Sequence, residues 1–182
     1  MNMRPSIHVL GERLRRIRAR KLIAVTATGL SLLAFGAVIK PSPRLVWNVS
    51  ASAPIGLYRV VSGTPLRGDL VVAHPPKFIA GLAAERGYLP TSVPLVKRVA
   101  ALPREHVCAF YEAIIIGGEI VARRLRTDRQ GRQLPWWNGC RALGPEEFFL
   151  LGVDSANSFD SRYFGPVPVK NIIGRVVPLW TE

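Results

Sequence analysis

The residues able to break a covalent bond are scarce in this 182-residue chain, and their scarcity narrows the chemistry. Histidine occurs three times, at His8, His74 and His106. A Ser-His-Asp hydrolase would have to use His74 or His106, but His74 precedes Pro75-Pro76 and His106 sits among charged residues. Both read as loop or strand-edge positions. Lysine occurs five times, at Lys21, Lys40, Lys77, Lys97 and Lys170. Lys97 stands apart: in "PLVKRVAAL" a two-residue period places Leu95, Lys97 and Val99 on one face of a strand and Arg98 on the other. On an apolar face a lysine either snorkels to solvent or gives up its proton. Burial lowers its pKa by as much as about 3–5 units, and a neutral lysine can act as general base toward a serine hydroxyl.

Serines that such a base would serve lie in "NVSASAPIGLYR" (Asn48–Arg59), where Ser50 and Ser52 precede Pro54 and Gly56 in a turn-forming composition. A second polar cluster, "LLGVDSANSFDSRYFGPVP" (Leu150–Pro168), holds Ser158 as a hydrogen-bonding group and Asp160 with Arg162, two residues apart, as a charge pair able to fix a loop. Alone, it reads first as a solvated turn. The two cysteines, Cys108 and Cys140, have no C-x-x-C spacing and only His106 nearby, so no metal site is expected.

These groups need elements to hold them. Residues 1–21 carry seven Lys/Arg against the single acid Glu12, contributing +6 of the net +13. Then comes "LIAVTATGLSLLAFGAVI" (Leu22–Ile39), 18 residues without a charge. At 1.5 Å per residue they span roughly 27 Å, against a bilayer core of about 30 Å. The basic flank places the amino terminus in the cytoplasm. The expectation is a cytoplasmic arm (1–21), a transmembrane helix (22–39) contacting lipid, and a domain of residues 40–182 in the bacterial periplasm, held at the inner membrane. A cleaved signal peptide with small residues near Ala34–Ala37 is the alternative. A nucleic-acid-binding arm explains the basic run less well than topology does, and no nucleic-acid partner is expected. In an oxidising compartment Cys108 and Cys140 are expected as a disulfide.

After the linker "KPSPR", most segments have strand character: "GLYRVVSG", "DLVVAH", "PLVKRVAAL", "EFFLLG" and "NIIGRVVPLW". "AIIIGGEIVA" is a hairpin signal around Gly117-Gly118. "PPKFIAGLAAERG" sets Phe78, Ile79, Leu82 and Ala83 at helical spacing. Arg123–Gly144 is polar and broken by Gly and Pro, and reads as surface loops. The fold class is mainly antiparallel β with one or two short helices.

Four stretches in order resemble the boxes of the type I signal peptidase family of Ser-Lys proteases: "SASAP", "RGDLVV" (Arg67–Val72), "VKRVAALP" (Val96–Pro103) and "NSFDSRYFGPVP" (Asn157–Pro168). The S-x-P-x-G-L-Y form beginning at Ser52 is closest to the family's conjugative-transfer branch. "LPRE" and "GVDSANS" depart from the family's usual "LPGD" and "GDNRxNS". The resemblance implies that Ser52 is the nucleophile and that Ser50 joins the Ser52 N–H in an oxyanion hole. It further implies Lys97 as general base, Ser158 as the group orienting it, and Asp160 with Arg162 as a bracing salt bridge. It implies a signal-peptidase-like β catalytic domain with a small β insertion at about 108–145, and no cofactor or metal. The implied substrate is the pilin precursor of a conjugative transfer system, processed and in some members cyclised, or another membrane-bound preprotein. A general signal peptidase removing leader peptides is the alternative reading.

Overall fold

The computed structural model describes residues 7–38, 43–152 and 155–182, apart from the side chains of residues 7–14 and 36–38. Expectations that fall on Arg4, on Ile39 at the end of the apolar run and on the Lys40–Ser42 part of the linker lie outside the described residues. The chain forms two compact units, residues 1–42 and 43–182. In the first, a single helix α1 (Ile7–Val38) runs without a break through the end of the basic arm and the apolar run. Among the described residues no helix is long and apolar enough to cross a membrane. The described apolar side chains run from Leu22 to Phe35, roughly 21 Å of helix.

The second unit is mainly β. Its strands are β1 (Leu45–Asn48), β2 (Gly56–Val61), β3 (Leu70–Ala73), β4 (Leu95–Ala101), β5 (His106–Phe110), β6 (Ala113–Ile116), β7 (Glu119–Arg123), β8 (Gly139–Ala142), β9 (Glu147–Leu151), β10 (Val167–Pro168) and β11 (Ile172–Thr181). Short helices α2 (Lys77–Glu85) and α3 (Ser161–Phe164) interrupt them. Seven strands form one antiparallel sheet in the order β1-β2-β11-β3-β4-β9-β10, and four form another in the order β7-β6-β5-β8.

β4 lies inside the larger sheet, paired with β3 and β9, with Lys97 opposite Val71 and Arg98 opposite Leu151. Apolar clusters cover both of its faces. One cluster joins Val71, Val99, Leu150 and Phe164, with Ile79 of α2; the other joins Val72, Val96, Tyr58, Val176 and Ala53. A third, with Ala101, Phe149 and Leu151 from the larger sheet and Val107, Ala109 and Ile114 from the smaller, welds the two sheets together. The β6–β7 hairpin turns through Gly117 and Gly118, both at positive φ, the conformation that a two-residue turn of this kind requires.

Two expectations need correction. Phe78 does not share the packed face of α2: Ile79 and Ala83 are buried, whereas Phe78 is 74% exposed. One residue of helix turns the side chain by 100°, and Ile79, not Phe78, meets the sheet. Nor is Arg123–Gly144 a run of surface loops. It contains β8, a bridge between Thr127 and Gln133, and the buried Arg124 and Leu143. Arg124 hides in the interior because its donors find the carbonyls of Tyr111 (2.7 Å) and Trp137 and the side chain of Asn138 (2.8 Å). Its guanidinium also lies 4.0 Å above the Trp136 ring. Cys108 and Cys140 are directly paired between β5 and β8 and joined as a disulfide.

Candidate active site

The segment between β1 and β2 makes a tight turn around Ser50 and Ser52. Ser50 is exposed and Ser52 buried, at 3%. Their hydroxyl oxygens are 2.9 Å apart, and the Ser52 N–H donates to Ser50 Oγ at 3.3 Å. The turn is held from inside by Asn48, the last residue of β1. Its Nδ2 donates to the carbonyls of Ser50 (2.9 Å), Ala53 (3.0 Å) and Pro54 (3.0 Å), and its Oδ1 accepts from the Ser50 N–H (3.1 Å). Tyr58 of β2 donates its hydroxyl to the Pro54 carbonyl at 2.6 Å. The two serines are thus fixed relative to β1 and β2.

Lys97 lies on the face of β4 that carries Val99, and is only 4% exposed. Its Nζ donates to Ser158 Oγ at 2.7 Å. The Lys97 amine is pushed down from 10.5 to about 8. Burial against the apolar sheet does most of this, because it disfavours the ammonium; Asp160 pulls the value back up and Arg162 pushes it further down. The snorkelling alternative does not describe this side chain.

The loop between β9 and α3 supplies Ser158 and ties it to the interior. Asp160 is fully buried and Arg162 nearly so; they form a two-pronged ion pair, Nε to Oδ1 at 2.9 Å and Nη2 to Oδ2 at 2.7 Å. Asp160 also accepts from the Gly152 N–H at 2.7 Å. Arg162 spends its remaining donors on the carbonyls of Gly152 and Ser155 (3.1 Å each), Arg123 (3.1 Å) and Ala156 (3.4 Å). The pair therefore gathers both ends of the loop and the end of β7. This is no solvated turn.

Gly152 brings the serines of the two loops together. A Cβ placed there would lie 2.1 Å from Ser158 Oγ and 2.7 Å from Ser52 Cβ. Glycine is needed for close approach here, since both neighbours press on the same point. Ser52 is thereby set beside the hydroxyl that holds Lys97. Ser52 Oγ and Lys97 Nζ do not bond each other among the described hydrogen bonds; Ser52 Oγ instead reaches the Val96 carbonyl at 3.5 Å. Unliganded sites often hold such pairs apart and tighten with substrate.

The serines and Lys97 open into a cavity of about 890 Å³, also lined by Trp47, Val49 and Phe159. Arg86, Tyr88, Asp128 and Arg132 also line it, and their side chains tie two segments together. Tyr88 donates to Asp128, Arg132 pairs with Asp128 at 2.6 Å, and Arg86 donates to the Gln133 carbonyl at 2.6 Å. Of the sequence candidates, Ser50, Ser52, Lys97 and Ser158 line this cavity, and Asp160 and Arg162 are buried beside it in the loop that carries Ser158. Cys108 and Cys140 are held in the other sheet. His74 lines the cavity but makes no side-chain hydrogen bond among the described residues, and His106 is exposed at the start of β5. Among the described residues no cluster of three or more His, Cys, Asp or Glu could hold a metal.

Asn48 and Gly152 were not singled out from sequence. Each acts on backbone or by vacancy, and only the S-x-S turn two residues after Asn48 hinted at the first.

Residues 17–180 match the family described as "Signal peptidase, peptidase S26". The conjugal transfer protein TraF of Agrobacterium fabrum is 36% identical over 144 residues, covering 74% of this chain and 81% of that protein. A plasmid transfer protein TraF of Escherichia coli is 32% identical, covering 71% of this chain and 80% of its own length. Signal peptidase I of Leptolyngbya laminosa is 32% identical over 64% of this chain and 53% of its own. A buried lysine facing a serine turn, a match along nearly the whole folded chain and relatives on both sides lead to one conclusion: the chain belongs to the S26 family of signal peptidases and is a member of the TraF type.

Proposed function

We propose that this protein is a serine endopeptidase in which Ser52 attacks and Lys97 is the general base, acting on a pilin precursor of a conjugative transfer system. The observation carrying this reading is Lys97 itself: a buried amine, held by Ser158 and pushed down to about 8, in one cavity with Ser52. At pH 7 a lysine at 8 is neutral in about a tenth of molecules, roughly 300-fold more often than one at 10.5.

In the first step the Ser52 oxygen bonds to the scissile carbonyl carbon while its proton passes to Lys97 Nζ. The carbonyl oxygen becomes an oxyanion that accepts from the Ser52 N–H and the Ser50 hydroxyl. In the resting turn these two groups bond each other, so the arriving oxyanion replaces an internal bond with stronger ones. Collapse breaks the C–N bond, and Lys97 returns its proton to the leaving amine. The acyl group left on Ser52 then passes to water, or to an amine of the same substrate, which would join its ends; Lys97 takes the nucleophile's proton and returns it to Ser52 Oγ as the acyl–oxygen bond breaks. Ser158 keeps the lysine aimed through both halves.

The conjugative substrate is favoured because the TraF relatives are matched over about four-fifths of their length and the signal peptidase I over about half. The apolar side chains of α1 between Leu22 and Phe35 are exposed, which supports a lipid-facing role. Together with the basic flank, this supports the reading of residues 22–39 as an inner-membrane anchor with the catalytic unit on the periplasmic side.

Co-expression with the pilin precursor tests the reading. Ser52→Ala and Lys97→Ala should each leave the precursor unprocessed while the protein accumulates folded; processing by either variant refutes the dyad. Cleavage of secreted preproteins, with the pilin precursor left intact, would transfer the function to general leader removal.

A further inference from the structure

Asn48 is buried, 5% exposed, and uses both ends of its amide on one short segment. Three carbonyls surround its nitrogen, and one N–H meets its oxygen, which fixes the orientation of the amide. Two hydrogens shared among three carbonyls make at least one of these bonds three-centred. The partners are not scattered: Ser50 is gripped by its N–H and its C=O, and the other two carbonyls belong to Ala53 and Pro54, the residues just after Ser52. Asn48 therefore clamps the turn on both sides of the nucleophile and takes hold of the backbone of Ser50 itself.

We infer that Asn48 is a positioning residue of the reaction, setting the Ser50 hydroxyl and the Ser52 N–H at the spacing an oxyanion requires. The inference rests on the reading of Ser52 as nucleophile. The resting turn shows why such a clamp is needed. Ser50 Oγ lies within hydrogen-bonding distance of both Ser52 Oγ and Ser52 N, so a small rotation of the Ser50 backbone would change which group its hydroxyl serves. Other bonds that reach the turn from outside, the Tyr58 hydroxyl on the Pro54 carbonyl and Ser52 Oγ on the Val96 carbonyl, hold its later residues and not the Ser50 backbone. Displacing a donor by 1 Å can lower a rate about 10²-fold.

Asn48→Asp is the sharpest perturbation. It keeps the size and the oxygen that accepts from the Ser50 N–H, yet replaces the donating nitrogen by an anionic oxygen facing three carbonyls. Asn48→Ala removes the clamp without adding charge. The probe is p-nitrophenyl acetate with the full-length protein in detergent, following the burst of p-nitrophenolate as Ser52 is acylated. Wild type should show a burst that Ser52→Ala lacks; if it does not, the nucleophile assignment fails, not the clamp.

Given that burst, both Asn48 variants should acylate about 10²-fold more slowly at saturating ester, with the half-saturating concentration unchanged. Combined with Ser50→Ala, the loss should fall well short of the product of the single losses, because both changes disable the same donor. Wild-type acylation rates, losses that multiply, or a change confined to half-saturation would overturn the inference. So would failure of both variants to melt cooperatively near the wild-type temperature, since Asn48 would then belong to the fold at large.

Discussion

Replacing Lys97 by methionine should make the protein more stable at neutral pH while destroying its activity. Methionine keeps the unbranched apolar stem and fills the same space on β4, but removes the ammonium. The amine falls from 10.5 to about 8 on folding, chiefly because the apolar sheet around it solvates charge poorly. That depression, about 2.5 pH units at 1.36 kcal/mol each, is stability of about 3 kcal/mol that the wild type forgoes wherever Lys97 must be charged. Against this, the variant leaves Ser158 Oγ without its partner, a loss of about 1 kcal/mol. The net expectation is a gain of about 2 kcal/mol at pH 7.

The sign of the pH dependence follows from the direction of the shift. The folded value lies below the unfolded one, so between pH 8 and 10.5 the unfolded chain holds more protons than the folded chain. Wild-type stability therefore rises with pH through that window. The advantage of Lys97→Met should be complete below pH 8, shrink to nothing near pH 10 and give way above the window to a deficit of about 1 kcal/mol from the unpartnered Ser158. Urea unfolding of the full chain in detergent, followed by tryptophan fluorescence, measures this at pH 7 and again near pH 10. With a urea slope of about 1–3 kcal/mol per molar, the midpoint should move up by about 1 M at pH 7. A variant no more stable than wild type at pH 7, or a gain that ignores pH, would refute the buried-amine argument.

The same titration should govern catalysis: kcat/KM should rise with pH through a limb near 8 and then level, whereas a limb near 10.5 would mean an ordinary solvated lysine. Gly152→Ala should abolish the acylation burst, because its Cβ would overlap both Ser158 Oγ and the Ser52 side chain; a variant with a normal burst would show that the two loops do not meet as described. Asp160→Ala should lower stability by about 3–5 kcal/mol, measured by urea unfolding, because it strands the Arg162 guanidinium in the interior. A loss under about 1 kcal/mol would mean that water reaches the pair.

The strands were readable because their composition and their packing agree. In β4 the two-residue alternation puts Lys97 with Val99 on one face, and both side chains are buried there. The serines could not be ranked this way. Nothing in "NVSASAPIGLYR" separates attack from oxyanion support until the sequence is compared with a family, and the geometry adds that Ser52 is buried beside Ser158 while Ser50 is exposed. What sequence hides most is a polar residue working inside. Arg124 was read as part of a surface loop because a polar composition usually stays in water. It is buried because its partners are carbonyls and an indole face, which leave no charge pattern along the chain.

Asn48 and Gly152 carry that point into the site. The proposed mechanism needs three groups from distant segments to share one site: a serine turn after β1, a lysine inside β4 and a serine loop after β9. Each group has a side chain with recognisable chemistry. The meeting itself is arranged by one amide that binds only backbone, one glycine whose contribution is the absence of a Cβ, and the Asp160–Arg162 pair, legible in sequence as a charge pair, whose arginine donates also to several carbonyls. Asn48 holds main-chain atoms present at every position and Gly152 leaves room for two side chains, so no spacing rule reveals either, and only the folded register of β1, β4 and β9 shows what they meet. A conservative change at such a residue should therefore damage the rate while leaving Ser52, Lys97 and Ser158 chemically intact.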